Sequence, residues 1–212
     1  MKRPSSVLCL LVLLGGVGLA ACGHGGGSVP GGMLGGAVTA TFTPANPTPG
    51  SDSVSMQVGT VTGDTFQIEI HATDITDFFG AAFRITFDSA TAEFLSFDPS
   101  TSFLNGPLNV GSAVVDIRAT VDPTDAGTVL VVATLQNAFN YIPGITPVAT
   151  DDTLLILTFR ATDPSAGNAF TFGTAMSRDV TTCPPWNMMG QQPSCPDVSA
   201  TLAWDGGTMT AN

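Results

Sequence analysis

Lysine is almost missing from this chain. Lys2 is the only one in 212 residues, and Lys and Arg together number six against seventeen Asp and Glu. A nucleic-acid binder needs clustered cations to neutralise phosphates, so that class is excluded. The same shortage of cations argues against electrostatic docking on anionic lipid. Beyond Lys2 no lysine is left for a Schiff base or a phosphate loop. Aromatics with a polar handle are few: one Tyr and two Trp. A flat sugar-stacking platform usually aligns several of these. Histidine is limited to His24 and His71. No stretch of ten or more residues carries an amphipathic helical period, and no repeat of 20–50 residues is present. What the chain does have is apolar residues, 43% with thirteen Phe, which excludes disorder throughout.

Met1-Lys2-Arg3 is a short positive start, and Val7 to Ala21 is uncharged and apolar. The run is shorter than the roughly 20 residues that span a bilayer, so 1–21 reads as a signal peptide. It ends Leu19-Ala20-Ala21-Cys22. Small residues before Cys resemble the cleavage pattern of bacterial lipoproteins. That resemblance implies lipid on Cys22 and a membrane contact through this N-terminal anchor only. The alternative is an ordinary secretory peptide with an incidental Cys. Gly23, in place of an Asp, points to the outer membrane or cell surface, so the expected location is the cell envelope. With Lys2 and Arg3 removed, four arginines face seventeen acids, a balance of −13. Residues 22–50 are rich in Gly and Pro and are expected to form a flexible linker spanning roughly 30 Å. His24 lies on it, where a lone His is ordinarily solvated.

From residue 51 to 212 the apolar period is two. Phe66, Ile68 and Ile70 alternate with polar residues, as do Phe83, Ile85 and Phe87. The runs 113–121, 154–160 and 170–172 repeat the signal, and turn clusters such as Asp122-Pro123-Thr124-Asp125 separate them. Segment 129–133, Val-Leu-Val-Val-Ala, is apolar on both faces and predicts a central strand covered on each side. The expected fold is all-β, a two-sheet sandwich or a barrel of eight to nine strands. Cys183 and Cys195 are the two cysteines of this region, and in an exported domain they are expected to pair.

Ile75-Thr76-Asp77-Phe78-Phe79-Gly80-Ala81-Ala82-Phe83-Arg84-Ile85-Thr86-Phe87-Asp88, followed by Ala92-Glu93-Phe94-Leu95-Ser96-Phe97, resembles cohesin domains. These carry a glycine-led strand of the form G-A-x-F-x-L-x-Y-D and then a segment like L-E-F-x-x-V. Phe87 stands where Tyr is commoner. Asp152 to Arg160 resembles a second family strand, with Thr153 in place of the usual Gly, and Asp205-Gly206-Gly207-Thr208 resembles the closing one. The resemblance covers about residues 52–212. It implies a jelly-roll sandwich of about nine strands that acts as a non-catalytic binding module. Its partners would be dockerin-type proteins, calcium-loaded helical modules that bring polysaccharide-degrading enzymes together. The family's partner surface includes the strand matching 80–88, so Ala82, Arg84 and Thr86 are the expected contacts, with Asp116 and Arg118 on a neighbouring strand. The insert around 183–195 departs from the family pattern.

Other candidates stand beside this one. The loop closed by Cys183 and Cys195 carries Trp186, Met188 and Met189, which would either present an apolar contact to a partner or plug one end of the sandwich. Direct polysaccharide binding by the same fold would use Trp186, Trp204 and Tyr141. A structural envelope lipoprotein without a specific ligand is a third reading. The acidic pairs Asp74/Asp77, Asp122/Asp125 and Asp151/Asp152 could chelate calcium with turn carbonyls, yet none forms an EF-hand loop, and turn-forming Asp explains them as well. No cofactor is otherwise implied. For catalysis His71 is the only candidate base in the domain, and nothing selects a carboxylate pair from seventeen acids.

Overall fold

A computed structural model describes residues 38–105, 114–136, 151–163, 167–183 and 194–212. They belong to one compact unit, Gly35–Asn212. Twelve strands occur among them: β1 (Ala40–Pro44), β2 (Ser53–Thr62), β3 (Thr65–Thr73), β4 (Phe78–Thr86), β5 (Ala92–Asp98), β6 (Val114–Asp122), β7 (Asp125–Gln136), β8 (Asp152–Ala161), β9 (Asn168–Phe172), β10 (Arg178–Thr182), β11 (Ala203–Asp205) and β12 (Gly207–Ala211). The larger sheet runs β1-β12-β9-β4-β7-β6, with β10 also paired to β4. The smaller runs β11-β2-β3-β8-β5. The fold is an all-β two-sheet sandwich. The count exceeds the expected nine because short strands flank the ends of both sheets.

Period-two alternation gives each strand one wet and one dry side. On β3 Phe66, Ile68, Ile70 and Ala72 are buried, and on β4 Ala81, Phe83 and Ile85 are. Rings fill much of the space between the sheets. Phe170 has Phe42, Phe66, Phe87 and Phe159 at centroid separations of 5.9, 5.8, 5.5 and 5.0 Å. Edge-to-face and offset contacts at these spacings suit the aromatic quadrupole.

The sandwich starts earlier than its expected boundary at residue 51. Ala40–Pro44, placed by composition in the linker, is a strand that pairs with β12 from Ala40↔Ala211 to Pro44↔Gly207. Ala40 and Phe42 enter the core and outweigh the surrounding Gly and Pro. Gly207 allows this contact, since a Cβ there would lie 2.3 Å from the Phe42 ring. The segment that follows β1 also packs down: the Asn46 carbonyl accepts from Gln57 Nε2 at 3.0 Å, and Asn46 Nδ2 donates to Asp205.

β4 is the pivot of the larger sheet. One edge pairs with β7 from Gly80↔Thr134 to Thr86↔Thr128. Along the other edge lie β10, against 78–83, and then β9, against Ile85 and Thr86. Between β9 and β10 the chain leaves the edge through a short 3₁₀ turn, Ala175–Ser177. Gly173 N–H donates to the Arg84 carbonyl at the break.

Candidate partner-binding face

The outer face of β10-β4-β7-β6 is the most unusual surface of the domain. β4 turns Ala82, Arg84 and Thr86 outward, opposite the buried Ala81, Phe83 and Ile85; Gly80, in the same alternation, is itself buried against Thr134. The register sets Ala82 beside Val132, Arg84 beside Leu130 and Thr86 beside Thr128. On β6 the neighbours of Thr134, Val132 and Leu130 are Asp116, Arg118 and Thr120. On β10, Asp179 lies beside Ala82 and Thr181 beside Gly80. One row across four strands therefore reads Asp179, Ala82, Val132, Arg118.

Segment 129–133 is apolar on both faces, as expected, but only one face is covered. Val129, Val131 and Ala133 are buried, whereas Val132 is 43% exposed and Leu130 half-buried. Nothing among the described residues lies over them. Ala82, Arg84, Leu130 and Val132, walled by Met176 and Ser177, line an open depression of about 720 Å³. Met176 is 98% exposed. An uncovered apolar strip beside an exposed Met is the composition of a contact surface.

Polar groups frame the strip. Arg118 Nε donates to Asp116 Oδ1 at 2.8 Å, which raises the arginine pKa, and Gln136 Nε2 donates to Asp116 Oδ2. Arg84 Nη1 lies 3.4 Å from Asp122 Oδ2. Asp122 is held below its ordinary pKa first by the Thr124 hydroxyl, then by the Thr124 N–H, with Arg84 the weakest contributor. Beyond Arg84 the face turns hydroxyl-rich: Thr86, Thr128, Thr171, Thr174 and Ser177 line a second depression of about 560 Å³.

The expected contacts Ala82, Arg84, Thr86, Asp116 and Arg118 thus share one face, with β7 between the two strands that carry them. Leu130, Val132, Met176 and Asp179 also belong to it and were missed. The outward apolar pair on β7 is visible in 129–133, where the pattern predicts a strand covered on both sides. Trp186, Tyr141 and Cys22 lie outside the described residues. Cys183 and Cys195 form a disulfide with Cα atoms 4.4 Å apart. Beside it, Asp197 accepts N–H bonds from Val180 and Ser199 and so fastens 196–199 to β10.

Trp204 is not a sugar platform. Its ring packs edge-on against Phe83 and Phe172 at 5.8 and 5.0 Å, and its indole N–H donates to the Ser199 carbonyl. The Arg178 guanidinium sits 5.0 Å above it and donates to the Phe172 carbonyl, bridging the break between β9 and β10. Burial lowers the Arg178 pKa. Every described aromatic side chain is buried or half-buried.

His71 lies on the outer face of the smaller sheet. Its Nδ1 is 3.3 Å from Asp151 Oδ1, and its Nε2 is 3.3 Å from Thr153 Oγ1. That order of groups matches a hydroxyl-imidazole-carboxylate relay. Glu69 Oε2, however, stands 3.0 Å from the same Nε2. Glu69 and Thr153 thus share one ring nitrogen, while Nδ1 makes no hydrogen bond to Asp151, so the relay is not assembled in this structure. The acidic pairs serve local structure: Asp125 accepts from Gly127 N–H and Thr128, Asp151 accepts from Thr73, and Asp74 and Asp77 adopt left-handed φ of 53° and 57°. Asp tolerates that region better than most side chains. Among the described residues no group of three or more His, Cys, Asp or Glu is placed to hold a metal ion.

No family model and no curated protein matches this sequence. Solved structures similar to it are cohesin domains. The sixth cohesin of scaffoldin B from Acetivibrio cellulolyticus, in complex with a Cel5 dockerin mutant, is 15% identical, with 66% of this chain and 90% of that one covered and a TM-score of 0.41. CaCohA2 from Clostridium acetobutylicum is 18% identical, covering 69% and 90%, with a TM-score of 0.41. A non-cellulosomal cohesin from the archaeon Archaeoglobus fulgidus is 11% identical, covering 73% and 83%, with a TM-score of 0.35. At these values the sandwich fold rests on the strand pairing described above, and no function follows from the likeness.

Proposed function

We propose that this chain is an exported, surface-anchored, non-catalytic module that docks a protein partner on the β10-β4-β7-β6 face. The observation that carries the reading is the uncovered strip of Ala82, Leu130 and Val132 with the exposed Met176, framed by Arg84, Arg118, Asp116 and Asp179. Such an apolar centre with a charged rim is how protein interfaces are built. A sugar-binding face would instead expose a line of aromatic rings. The cohesin-like strand 80–88 directs the choice of partner to a dockerin-type module, and through it to polysaccharide breakdown. Lipid on Cys22 would hold the module at the cell envelope.

The test immobilises the exported chain and exposes it to lysate and culture supernatant of its own organism, with calcium or with a chelator. Three proteins are compared: the native chain, Val132→Arg on the proposed face, and Gln67→Arg on the opposite sheet as a control. The expected result is a calcium-dependent protein, carrying duplicated calcium-loop repeats, that Val132→Arg loses and Gln67→Arg keeps. Equal capture by all three, or retention on polysaccharide alone, refutes the reading.

A further inference from the structure

The row Asp179, Ala82, Val132, Arg118 has an acid at one end, a base at the other and two apolar residues between them. A two-fold axis that lies in the plane of the face, parallel to the strands and midway between β4 and β7, exchanges the ends of this row. Ala82 then meets Val132 of a second copy, and Asp179 meets Arg118 of that copy. The rows above and below also match. Arg84 falls opposite Leu130, Gly80 opposite Thr134, and Thr181 opposite Asp116; no two like charges stand directly opposite, and the two Arg84 side chains, one strand apart across the axis, are each paired with their own Asp122. From this pattern we infer that the face also pairs with itself, and that a second copy of this chain is its occupant when no other partner is bound. The inference rests on the reading of the face as a docking surface.

The end groups are free to pair in this way. Arg118 spends its Nε on Asp116, and among the described residues its other guanidinium N–H groups have no partner. Its side chain is 76% exposed. Asp179 is exposed and accepts from the Thr181 hydroxyl through Oδ1, leaving Oδ2 without a partner among the described residues. Elsewhere the chain is acidic, with four arginines against seventeen acids after residue 3. Arg84 and Arg118, two of those four arginines, stand on this face beside Asp116, Asp122 and Asp179, so the repulsion between two acidic chains is reduced there.

The size of the face sets the strength. Four strands about 4.8 Å apart and some seven residues long cover roughly 500 Å² per copy, or about 1,000 Å² for the pair. That is the lower limit for a specific interface, so the dimer is weak and reversible. Chains held on one membrane would raise its occupancy without any new contact. A stronger partner would displace the second copy, because both need Val132.

The test uses the chain from Gly23 to Asn212, which contains the whole compact unit, in sedimentation equilibrium from about 5 μM to 1 mM. Asp179→Arg and Arg118→Asp are examined alone and mixed in equal amounts, with thermal melting as a check on folding. The native chain is expected to dimerise with rising concentration. Each single variant sets two like-charge pairs in the dimer and weakens it by about tenfold or more. The mixture restores both opposite-charge pairs and recovers dimer as a heterodimer. A native chain that stays monomeric at 1 mM overturns the inference. So do single variants that dimerise like the native chain, or a mixture that fails to recover. If the dimer fails while Val132→Arg still abolishes partner capture, the docking function stands without self-pairing. If both fail, the face carries neither.

Discussion

Phe170→Ala tests whether the ring cluster holds the two sheets together. Phe170 is fully buried and touches four other rings, from Phe42 and Phe66 to Phe87 and Phe159. Truncating a buried Phe to Ala costs about 3–5 kcal/mol through lost transfer energy and the cavity left behind. Each ring pair adds about 0.5–1.5 kcal/mol beyond area burial, which places Phe170→Ala at the top of that range. Domains of this kind hold about 5–15 kcal/mol in total. Equilibrium unfolding in urea with a slope near 2 kcal/mol/M should move the midpoint down by about 2 M. Phe103→Ala is the reference. Phe103 is half-buried, with one ring contact among the described residues, to Phe78 at 5.3 Å. Its loss should cost about 1–2 kcal/mol. Equal midpoints for the two variants would refute the claim that the sandwich is built around Phe170.

Replacing Cys183 and Cys195 together by Ser opens a loop whose ends are twelve positions apart, and should cost about 3 kcal/mol in the chain-entropy model. A reducing agent should lower the melting temperature of the native chain and leave that of the double variant unchanged; an equal shift in both would remove the disulfide from the account. Asp197 gives an acid-dependent effect. The Ser199 N–H first, then the Ser199 side chain and the Val180 N–H, hold its pKa below the ordinary aspartate value. A depressed folded pKa means the stabilisation is full above the unfolded value of about 4 and fades as the pH falls through the lower folded value. Asp197 is solvent-exposed, so Asp197→Ala should cost only about 0.5–1 kcal/mol at pH 7, and less as the pH falls below about 4 and the native chain loses the same contribution. A cost that does not change with pH would mean that Asp197 acts only by packing.

The fold was legible because burial on one side of a strand imposes a period of two, and most of these strands are wet on the other side. Phe66, Ile68 and Ile70 or Phe83 and Ile85 declare their inward face without help from the rest of the chain. β1 was not legible for a related reason. Ala40 and Phe42 make only one full alternation, too short to stand out from the Gly and Pro around them, and their burial depends on Gly207 more than 160 residues away. Short strands that complete a sheet draw their stability from the sheet and carry little signal of their own. The same holds for β11, three residues long and paired in parallel with Ser53, Val54 and Ser55.

The candidate face shows where pattern reading reaches its limit. An apolar residue at an outward position looks the same in a sequence whether another layer of protein covers it or a partner does. The pattern of Val-Leu-Val-Val-Ala therefore predicts a covered strand, whereas among the described residues Val132 is exposed and Leu130 half-buried beside Met176. The distinction lies in what surrounds the strand. β7 has β4 on one side and β6 on the other, and the outward positions of those strands are Arg84, Thr86, Asp116, Arg118 and Thr120. A covering layer would have to desolvate these charges, at a cost of several kcal/mol for each one left unpaired. A partner with matching charges offsets that cost, and a second copy supplies the match from its own Asp179 and Arg118. The charged frame around the apolar strip is thus the argument that the strip is kept open for association rather than left over from the core.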